Sequence, residues 1–304
     1  MSSGTPLLAI TGATGFVGTK VVKHALSAGY HVRALIRNPS KKPKIDHPNL
    51  TWHQGALGSD DEAFLKDADG LIHIAGLIKA KKRSDYFAVN ADAAGNLTKA
   101  AQSAGVKRFI LLSSQAASQP QLSHYAASKH AGEVAVKSSF NRSLAIIRAP
   151  AIFGPGDEAT KPFFNFIKKG RLPCPGGKNW KDRKLSFTYV DDLARDIVET
   201  AVSGAYDGKT VYPATLPQTD WAEFADICAQ VTGQSVKPFP IPLALLYTVA
   251  GLTSVTSRLF GMGHLTLGKL NEFLYEDWSS QDQISGATDL KAALKETMDY
   301  YERN

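Results

Sequence analysis

Cysteine is almost absent from this sequence, since the 304-residue chain contains only Cys174 and Cys228. Two cysteines imply no disulfide framework, and their spacing is not that of a zinc site. We therefore expect a reducing compartment and no bound metal. A strand-like run begins at Pro6, which leaves no room for a signal peptide before it. The sequence predicts a cytoplasmic protein.

The sequence also lacks a long basic arm and any zinc-finger spacing. Its basic runs, Lys41-Lys42 and residues 79–83, are short and are expected in solvated loops. The net charge is nevertheless +7, which favours anionic small molecules as partners. Hydrophobic residues make up 43% of the chain and charged residues 21%, as in ordinary globular proteins. We expect a small-molecule ligand and no nucleic-acid partner.

The first half of the chain alternates short apolar runs with longer stretches of helical period. Strands are predicted at 6–11, 31–36, 50–54, 70–76, 108–114 and 143–150, and helices at 16–28, 60–67, 84–104 and 124–138. Most of these strands are apolar throughout, as expected for a parallel sheet covered on both faces. Repeated strand–helix units of this kind predict an α/β protein with a Rossmann-like doubly wound parallel sheet.

The pattern changes after residue 150. Residues 153–162 and 171–179 are rich in turn formers, and several helices follow with only short strands such as 210–214. We predict a Rossmann domain over 1–172 and a smaller, mainly helical substrate-binding lobe over 173–304. Residues 185–213 are expected to rejoin the first domain.

Three glycines lie where the first strand meets the first helix. The stretch "AITGATGFVGTKVV" places Gly12, Gly15 and Gly18 in a G-x-x-G-x-x-G spacing. Glycines there permit a tight turn, let the backbone approach a pyrophosphate, and let the helix pack close to the sheet. This turn therefore predicts a dinucleotide site. Its expected cofactor-binding residues are Gly12, Thr14, Gly15, Phe16, Val17 and Gly18.

The second strand lacks the acidic residue that usually holds the ribose hydroxyls of NAD. Ile36 stands at the expected position of the acid, and Arg37 follows it. An arginine can bind a 2′-phosphate through bidentate, charge-assisted hydrogen bonds. Arg37 could equally be a solvated residue of a polar loop. With the acid missing, the sequence favours NADP over NAD.

The stretch "HYAASKHAG" places Tyr125 four residues before Lys129. Residues at this spacing share one face of any helix, so the pair alone does not establish chemistry. Of the ten tyrosines, only Tyr125 is followed by lysine at this spacing. The pattern is compatible with a catalytic pair or with an ordinary helix surface.

Several motifs, taken together and in order, resemble the extended branch of the short-chain dehydrogenase/reductase superfamily, of the NAD(P)-dependent epimerase/dehydratase type. They are "TGATGFVG", "LIHIAG", "VNADAAGNLTKAAQSAGVKRFILLSS", "YAASK", "RAPAIFGPG" and "YVDDLA", and they cover about two-thirds of the chain. Near the C-terminus, "PLALLYTVAGL" and "LYEDW" are more similar to hydroxysteroid-dehydrogenase-type relatives than to sugar epimerases.

The resemblance implies a catalytic role for four residues. Tyr125 would be the general acid/base that exchanges a proton with the substrate oxygen. A free tyrosine titrates near ~10, and the positive charge of Lys129 would favour the tyrosinate. Ser114 would bind the reacting carbonyl or hydroxyl, with Ser113 as the alternative after a one-residue shift. Asn90 would brace the site, or be a satisfied interior asparagine.

The resemblance also implies contacts with the cofactor outside the glycine turn. Lys129 and Tyr125 would lie at the nicotinamide ribose, and Lys129 would hold its hydroxyls. Ala75 and Gly76 would line the cofactor ribose, and Pro150 would lie beside the nicotinamide.

Two departures from sugar-nucleotide epimerases bear on the substrate. Only ten residues, 115–124, separate Ser114 from Tyr125, where such epimerases have a V-Y-G turn and a long insertion. The arginine that such epimerases usually place just before "YVDDLA" has no clear match, since Leu185 falls at about that place, with Arg183 and Lys184 adjacent. We therefore expect an NADP-dependent oxidoreductase that transfers a hydride to or from a small, apolar carbonyl or alcohol. The alternatives are a sugar-nucleotide epimerase/dehydratase and a non-catalytic NADP-binding regulator or complex subunit. A homodimer is possible.

The segment "FPIPLALLYTVAGLTSVTSRLF", 239–260, contains no charged residue before Arg258. It is near the minimum length of a transmembrane helix, but Gly251 and several Ser/Thr residues dilute it, so no membrane span is expected. The alternatives are a core helix of the second lobe, a wall over the nicotinamide, or a contact with a membrane surface.

Overall fold

The computed structural model describes residues 4–58, 61–260 and 266–303. Its strands are β1 (Leu7–Thr11), β2 (His31–Ile36), β3 (Leu50–Gln54), β4 (Gly70–His73), β5 (Arg108–Ser114), β6 (Ser143–Ala149), β7 (Ala151–Phe153), β8 (Arg171–Pro175), β9 (Leu185–Tyr189), β10 (Thr210–Val211), β11 (Leu216–Thr219) and β12 (Lys237–Ile241). Its α-helices are α1 (Phe16–Ser27), α2 (Asp61–Leu65), α3 (Arg83–Phe87), α4 (Ala93–Ser103), α5 (His124–Ser139), α6 (Lys161–Lys168), α7 (Val190–Ser203), α8 (Trp221–Thr232), α9 (Leu243–Phe260), α10 (Leu267–Phe273) and α11 (Leu290–Arg303).

A seven-stranded parallel sheet forms the centre of the fold, in the order β10-β6-β5-β4-β1-β2-β3. Strand β1 pairs with β2 on one side and with β4 on the other, so the strand order reverses at β1. In open α/β sheets, ligands bind at the carboxyl ends of the strands beside such a reversal. The Rossmann-like fold class predicted from the sequence is confirmed.

The apolar strands of this sheet are covered on both faces. Leu8, Ile10, Leu71, Ile72 and Ile110 are fully buried. Helices α2, α4 and α5 contribute to one large cluster that contains Phe64, Leu97, Phe109, Val136 and Phe140. Because burial of apolar area drives folding, these uninterrupted runs explain why all six predicted strands appear in the sheet. Residue 60, the predicted start of the second helix, lies outside the described residues.

The helix predicted over 84–104 is interrupted. Between α3 and α4 lies one π-helical turn, Ala88–Asp92, which includes Asn90. Such turns are rare and are found often at functional sites, because the extra residue shifts a side chain relative to the helix. Here the buried residues of the turn are Asn90 and Ala91.

The chain divides into two compact units. The first comprises Met1–Pro120, Tyr125–Arg148 and Leu193–Val211, and it contains the seven-stranded sheet. The second comprises Gln121–His124, Ala149–Asp192 and Tyr212–Asn304.

The second unit contains two small sheets as well as helices, and the sequence did not predict most of their strands. Strands β11, β9 and β7 form one sheet, and β12 pairs in parallel with β8 in the other. Strand β8 contains Pro173 and Pro175, and β12 contains Pro238 and Pro240. The prolines of β8 explain why residues 171–175 were predicted to form a turn. Proline is tolerated there because both strands of a two-stranded sheet are edge strands.

The segment 239–260 does not form one element. Its first residues belong to β12, and α9 begins at Leu243. Leu246 and Ala250 of α9 are buried in a small cluster with Leu270, so core packing accounts for only this face of the helix. Among the described residues, no helix is both long and apolar enough to cross a membrane.

Candidate active site

The glycine turn after β1 leaves no room for side chains. Gly12 has a φ of +70°, which disfavours other residues, and a Cβ there would lie 2.6 Å from the backbone nitrogen of Ala75. A Cβ on Gly18 would overlap the carbonyl oxygen of Gly12. Helix α1 begins after Gly15 with no side-chain cap. The first amides of α1 are therefore open to a phosphate, as a dinucleotide site requires.

A buried hydrogen-bond chain supports the end of β4 beside this turn. Thr11 Oγ1 accepts a hydrogen bond from the Ala75 amide at 3.2 Å and lies 2.7 Å from His73 Nδ1. A hydroxyl group has one proton and two lone pairs, so Oγ1 can pair with Nδ1 of either neutral imidazole tautomer while it accepts the first bond. Burial, with the nearby charge of Lys129, lowers the pKa of His73 to about 3. These hydrogen bonds fix the backbone at Ala75, which the family resemblance predicts to line the cofactor ribose together with Gly76.

Arg37 is exposed and directly follows β2. The next residue, Asn38, accepts hydrogen bonds from the backbone nitrogen and the hydroxyl of Ser40 at 3.0 and 2.9 Å, which orders the loop. Lys42 in this loop lies 5.8 Å from the centroid of the Trp52 ring. Residues 37–42, which follow β2, therefore include three cationic side chains and no carboxylate.

Asn90 links three parts of the first unit. Its side-chain oxygen accepts a hydrogen bond from the Leu77 amide at 2.7 Å, and its Nδ2 donates to the Leu77 carbonyl at 3.0 Å and to Ser128 Oγ at 2.9 Å. Ser128 in turn donates to the carbonyl of Tyr125 at 2.8 Å. Asn90 thus braces the loop after β4 against α5, and both protons of its side-chain amide are used in these contacts.

Lys129 is buried on α5, one turn after the partly exposed Tyr125. Its Nζ donates to the carbonyl of Leu112 at 2.8 Å. Burial lowers the pKa of Lys129 to about 8, and the charge of Glu133 opposes that shift. The Tyr125 ring packs edge-on against Tyr86, with 6.4 Å between the ring centroids.

Gly76, a predicted cofactor-binding residue, lies next to two predicted catalytic residues, Asn90 and Lys129. A Cβ on Gly76 would lie 3.3 Å from Asn90 Oδ1 and 3.7 Å from Lys129 Nζ. Glycine here keeps the space in front of the lysine ammonium open. Pro150 is buried between β6 and β7 and belongs to the second unit.

The two serines at the end of β5 have different surroundings. Ser113 is buried, and its hydroxyl donates to Glu133 Oε1 at 2.5 Å. Ser114 is only partly buried, and its Oγ accepts from the Ala116 amide at 3.2 Å, which leaves its proton available for a further bond. The geometry favours Ser114 over Ser113 as the substrate-binding serine.

Three further residues of this site were missed by the sequence reasoning. Glu133 is buried and forms an ion pair with Arg148, whose Nη2 lies 2.6 Å from Oε2 and whose Nε lies 2.9 Å from Oε1. A Cβ on Gly132 would overlap the carbonyl oxygen of Asn90, so glycine permits contact between α5 and the π turn. The small residues of "YAASKHAG" could have indicated that close contact, whereas nothing in the sequence pairs Glu133 with Arg148.

The sequence model of the NAD dependent epimerase/dehydratase family matches residues 8–207. The chain is 34% identical over 280 residues to a ceramide reductase of Caulobacter vibrioides, which covers 90% of this chain and 86% of that protein. It is 28% identical over 259 residues to a 3 beta-hydroxysteroid dehydrogenase/Delta 5-->4-isomerase of Mycobacterium tuberculosis, which covers 74% of this chain and 69% of that one.

A solved structure of MoeE5 with UDP-glucose and NAD has the same fold, with a TM-score of 0.71 and 20% identity over 98% of this chain and 99% of its own. The chain belongs to the NAD dependent epimerase/dehydratase family and is an NAD(P)-dependent oxidoreductase-type enzyme of the extended short-chain dehydrogenase/reductase superfamily.

Proposed function

We propose that this enzyme uses NADP to reduce the carbonyl of a bulky apolar substrate, or to oxidise the corresponding alcohol, at a Ser114–Tyr125–Lys129 site. The observation that carries the proposal is the position of Lys129. It is a buried cation that lies beside Gly76 and Asn90, one helical turn from Tyr125. A lysine is rarely buried without a specific role, because losing water around its charge is costly.

In the proposed reaction, the bound dinucleotide supplies or accepts the hydride. Ser114 Oγ donates a hydrogen bond to the substrate oxygen and holds it towards Tyr125. Tyr125 Oη donates a proton to that oxygen in the reductive direction and accepts one in the oxidative direction. The Lys129 ammonium stabilises the tyrosinate and holds the ribose hydroxyls.

The choice of NADP is supported by the end of β2. Ile36, at the position of the usual acid, is buried and uncharged, and Arg37 is exposed beside it. A carboxylate there would repel a 2′-phosphate, whereas a guanidinium can bind it in a bidentate manner.

An apolar substrate is supported by the relatives and by the residue at position 185. The ceramide reductase and the hydroxysteroid dehydrogenase are both named for apolar lipids, and the first aligns over most of this chain. Leu185 falls at about the place where sugar-nucleotide epimerases carry an arginine. A nucleotide-sugar epimerase would need cations free for a diphosphate.

The test is an assay of the purified protein with NADPH and NADH against a ceramide-like ketone, a steroid ketone, small polar ketones and UDP-glucose. We expect steady oxidation of free NADPH with a lipid ketone and a higher kcat/KM than with the small ketones. Isomerisation of UDP-glucose with tightly retained cofactor and no net redox would support the epimerase alternative and contradict the proposal.

A further inference from the structure

The exposed side of α9 is apolar. Leu246 and Ala250 face the small core cluster, yet large apolar side chains are also exposed around the rest of the helix. Leu245 is 54% exposed and Leu252 is 66% exposed. The other exposed members are Leu243, Tyr247 and Val249. Single exposed apolar residues are ordinary, but a contiguous group on one helix indicates a contact surface.

Neighbouring elements of the second unit extend this apolar surface. Helix α10 packs against α9 through Leu270, and its Leu267 and Phe273 are exposed. Phe166 of α6 is exposed too, and its ring lies 6.3 Å from the ring of Phe239 in β12, four residues before α9 begins.

Strong positive charge lies directly beside α9. Residues 161–184 contain eight lysines and arginines and a single acidic residue, Asp182, whereas residues 238–257 contain no charged residue. The parallel pairing of β8 with β12 brings the two segments together. They also meet at Gly177, where a Cβ would lie 3.0 Å from Leu243 Cγ. Lys178 and Lys181 next to this contact are exposed.

From these observations we propose that α9 and the segment 161–184 form a docking surface for a bilayer that contains anionic phospholipids. The exposed apolar side chains of α9 enter the boundary between headgroups and acyl chains, and the exposed Lys169, Arg171, Lys178 and Lys181 bind the lipid phosphates. Trp180, with Lys181 Nζ 5.6 Å from its ring centroid, is the residue type that favours the headgroup region. The proposal rests on this surface alone and does not depend on the proposed substrate.

Charge favours a bilayer over a second copy of the chain as the occupant. In a two-fold symmetric dimer the same patch meets itself, so each basic segment would lie close to its own counterpart. Repulsion between the two segments would oppose that contact. An anionic bilayer instead attracts the basic segment through its charge and accepts the apolar side chains of α9 in its interior.

The experiment is co-sedimentation of the full chain with vesicles of phosphatidylcholine, with and without phosphatidylglycerol, at physiological ionic strength. We expect binding to the anionic vesicles that is about tenfold or more tighter than to the neutral ones. Leu245→Glu/Leu252→Glu should lose about tenfold or more in affinity, as should Lys178→Glu/Lys181→Glu. The matched controls are Val134→Glu, also at a 54% exposed position, and Lys23→Glu/Lys99→Glu, and both should bind like the wild type.

A second measurement, of tryptophan fluorescence, tests membrane insertion without any substitution in α9. Vesicles with brominated acyl chains should quench part of the tryptophan fluorescence of the wild type, and Trp180→Phe should abolish most of that quenching. Equal binding to both vesicle types, or wild-type binding by the α9 variant, would overturn the proposal. So would a wild-type dimer that the α9 variant converts to monomer without any vesicle binding, since a second copy would then be the occupant.

Discussion

Glu133 lies one helical turn after Lys129 on α5, and its negative charge raises the lysine pKa that burial lowers. The two effects leave the pKa of Lys129 at about 8, close to neutral pH. Glu133 is itself held by Arg148 and Ser113, so its position is fixed from two sides. The protonation state of the proposed catalytic lysine therefore depends on a second, buried residue of the same helix.

This relationship predicts the pH dependence of the reaction. As the pH rises through about 8, Lys129 loses its proton, and the neutral amine no longer stabilises the tyrosinate or holds the ribose as strongly. We expect kcat/KM to fall above that pH. Glu133→Gln removes the charge that raises the lysine pKa, so the fall should begin at lower pH. The control is Glu199→Gln, an exposed carboxylate on α7, which should leave the profile unchanged. An unshifted profile in Glu133→Gln would contradict the coupling.

Substitution of Tyr125 tests the proposed proton transfer. Tyr125→Phe keeps the ring and its packing but removes the transferable proton, so kcat should fall by roughly 10²-fold or more. Cofactor affinity, measured by NADPH fluorescence, should change little. Tyr86→Phe is the matched control, because Tyr86 packs edge-on against the same ring. If Tyr125→Phe turned over at the wild-type rate, Tyr125 would have no acid/base role.

Sequence patterns were sufficient to predict the seven-stranded sheet's main strands and the glycine turn. A parallel strand covered on both faces is apolar throughout, and the tight turn requires glycine. Both features can therefore be predicted from short stretches of sequence. The small strands β8 and β12 were missed because their prolines are typical of turns. The pairing of Glu133 with Arg148 was also missed, since it depends on where α5 lies relative to β6. The predicted role of 239–260 as a wall over the nicotinamide stays a prediction.

Arg37 should decide between the two nicotinamide cofactors. Arg37→Ala removes a charge-assisted contact that only the 2′-phosphate can make, so NADPH affinity should fall by about 1–3 kcal/mol while NADH affinity stays nearly constant. Titration of both cofactors against wild type and variant measures this. Lys23→Ala removes one exposed positive charge elsewhere in the same unit and should affect neither cofactor. Equal losses for NADPH and NADH in Arg37→Ala would mean that Arg37 does not bind the phosphate.

Gly132 should be intolerant of even one methyl group. In Gly132→Ala the Cβ would overlap the carbonyl oxygen of Asn90, so α5 and the π turn must separate. We expect a loss of roughly 1–3 kcal/mol in the free energy of unfolding and lower activity, because Asn90 moves with its backbone. Gly251→Ala is the contrast, since among the described residues no atom outside the adjoining helix backbone lies within 4 Å of a Cβ there. Alanine is the better helix former, so that variant should keep or raise stability. Thermal unfolding of both variants measures the difference. Equal midpoints would show that α5 and the π turn separate without a loss in the free energy of unfolding.

His73 should make the protein sensitive to acid. The pKa of its imidazole is about 3 in the folded protein, against 6.5 as the ordinary value. Between these values the unfolded chain binds a proton that the folded chain does not, so stability present above pH 6.5 is lost as the pH falls. The loss approaches about 1.4 kcal/mol for each pH unit. Urea unfolding at several pH values between neutral and 5 measures the slope, which should be smaller in His73→Asn and unchanged in His124→Gln, at an exposed position. A variant that kept the wild-type slope would show that other groups cause the acid sensitivity.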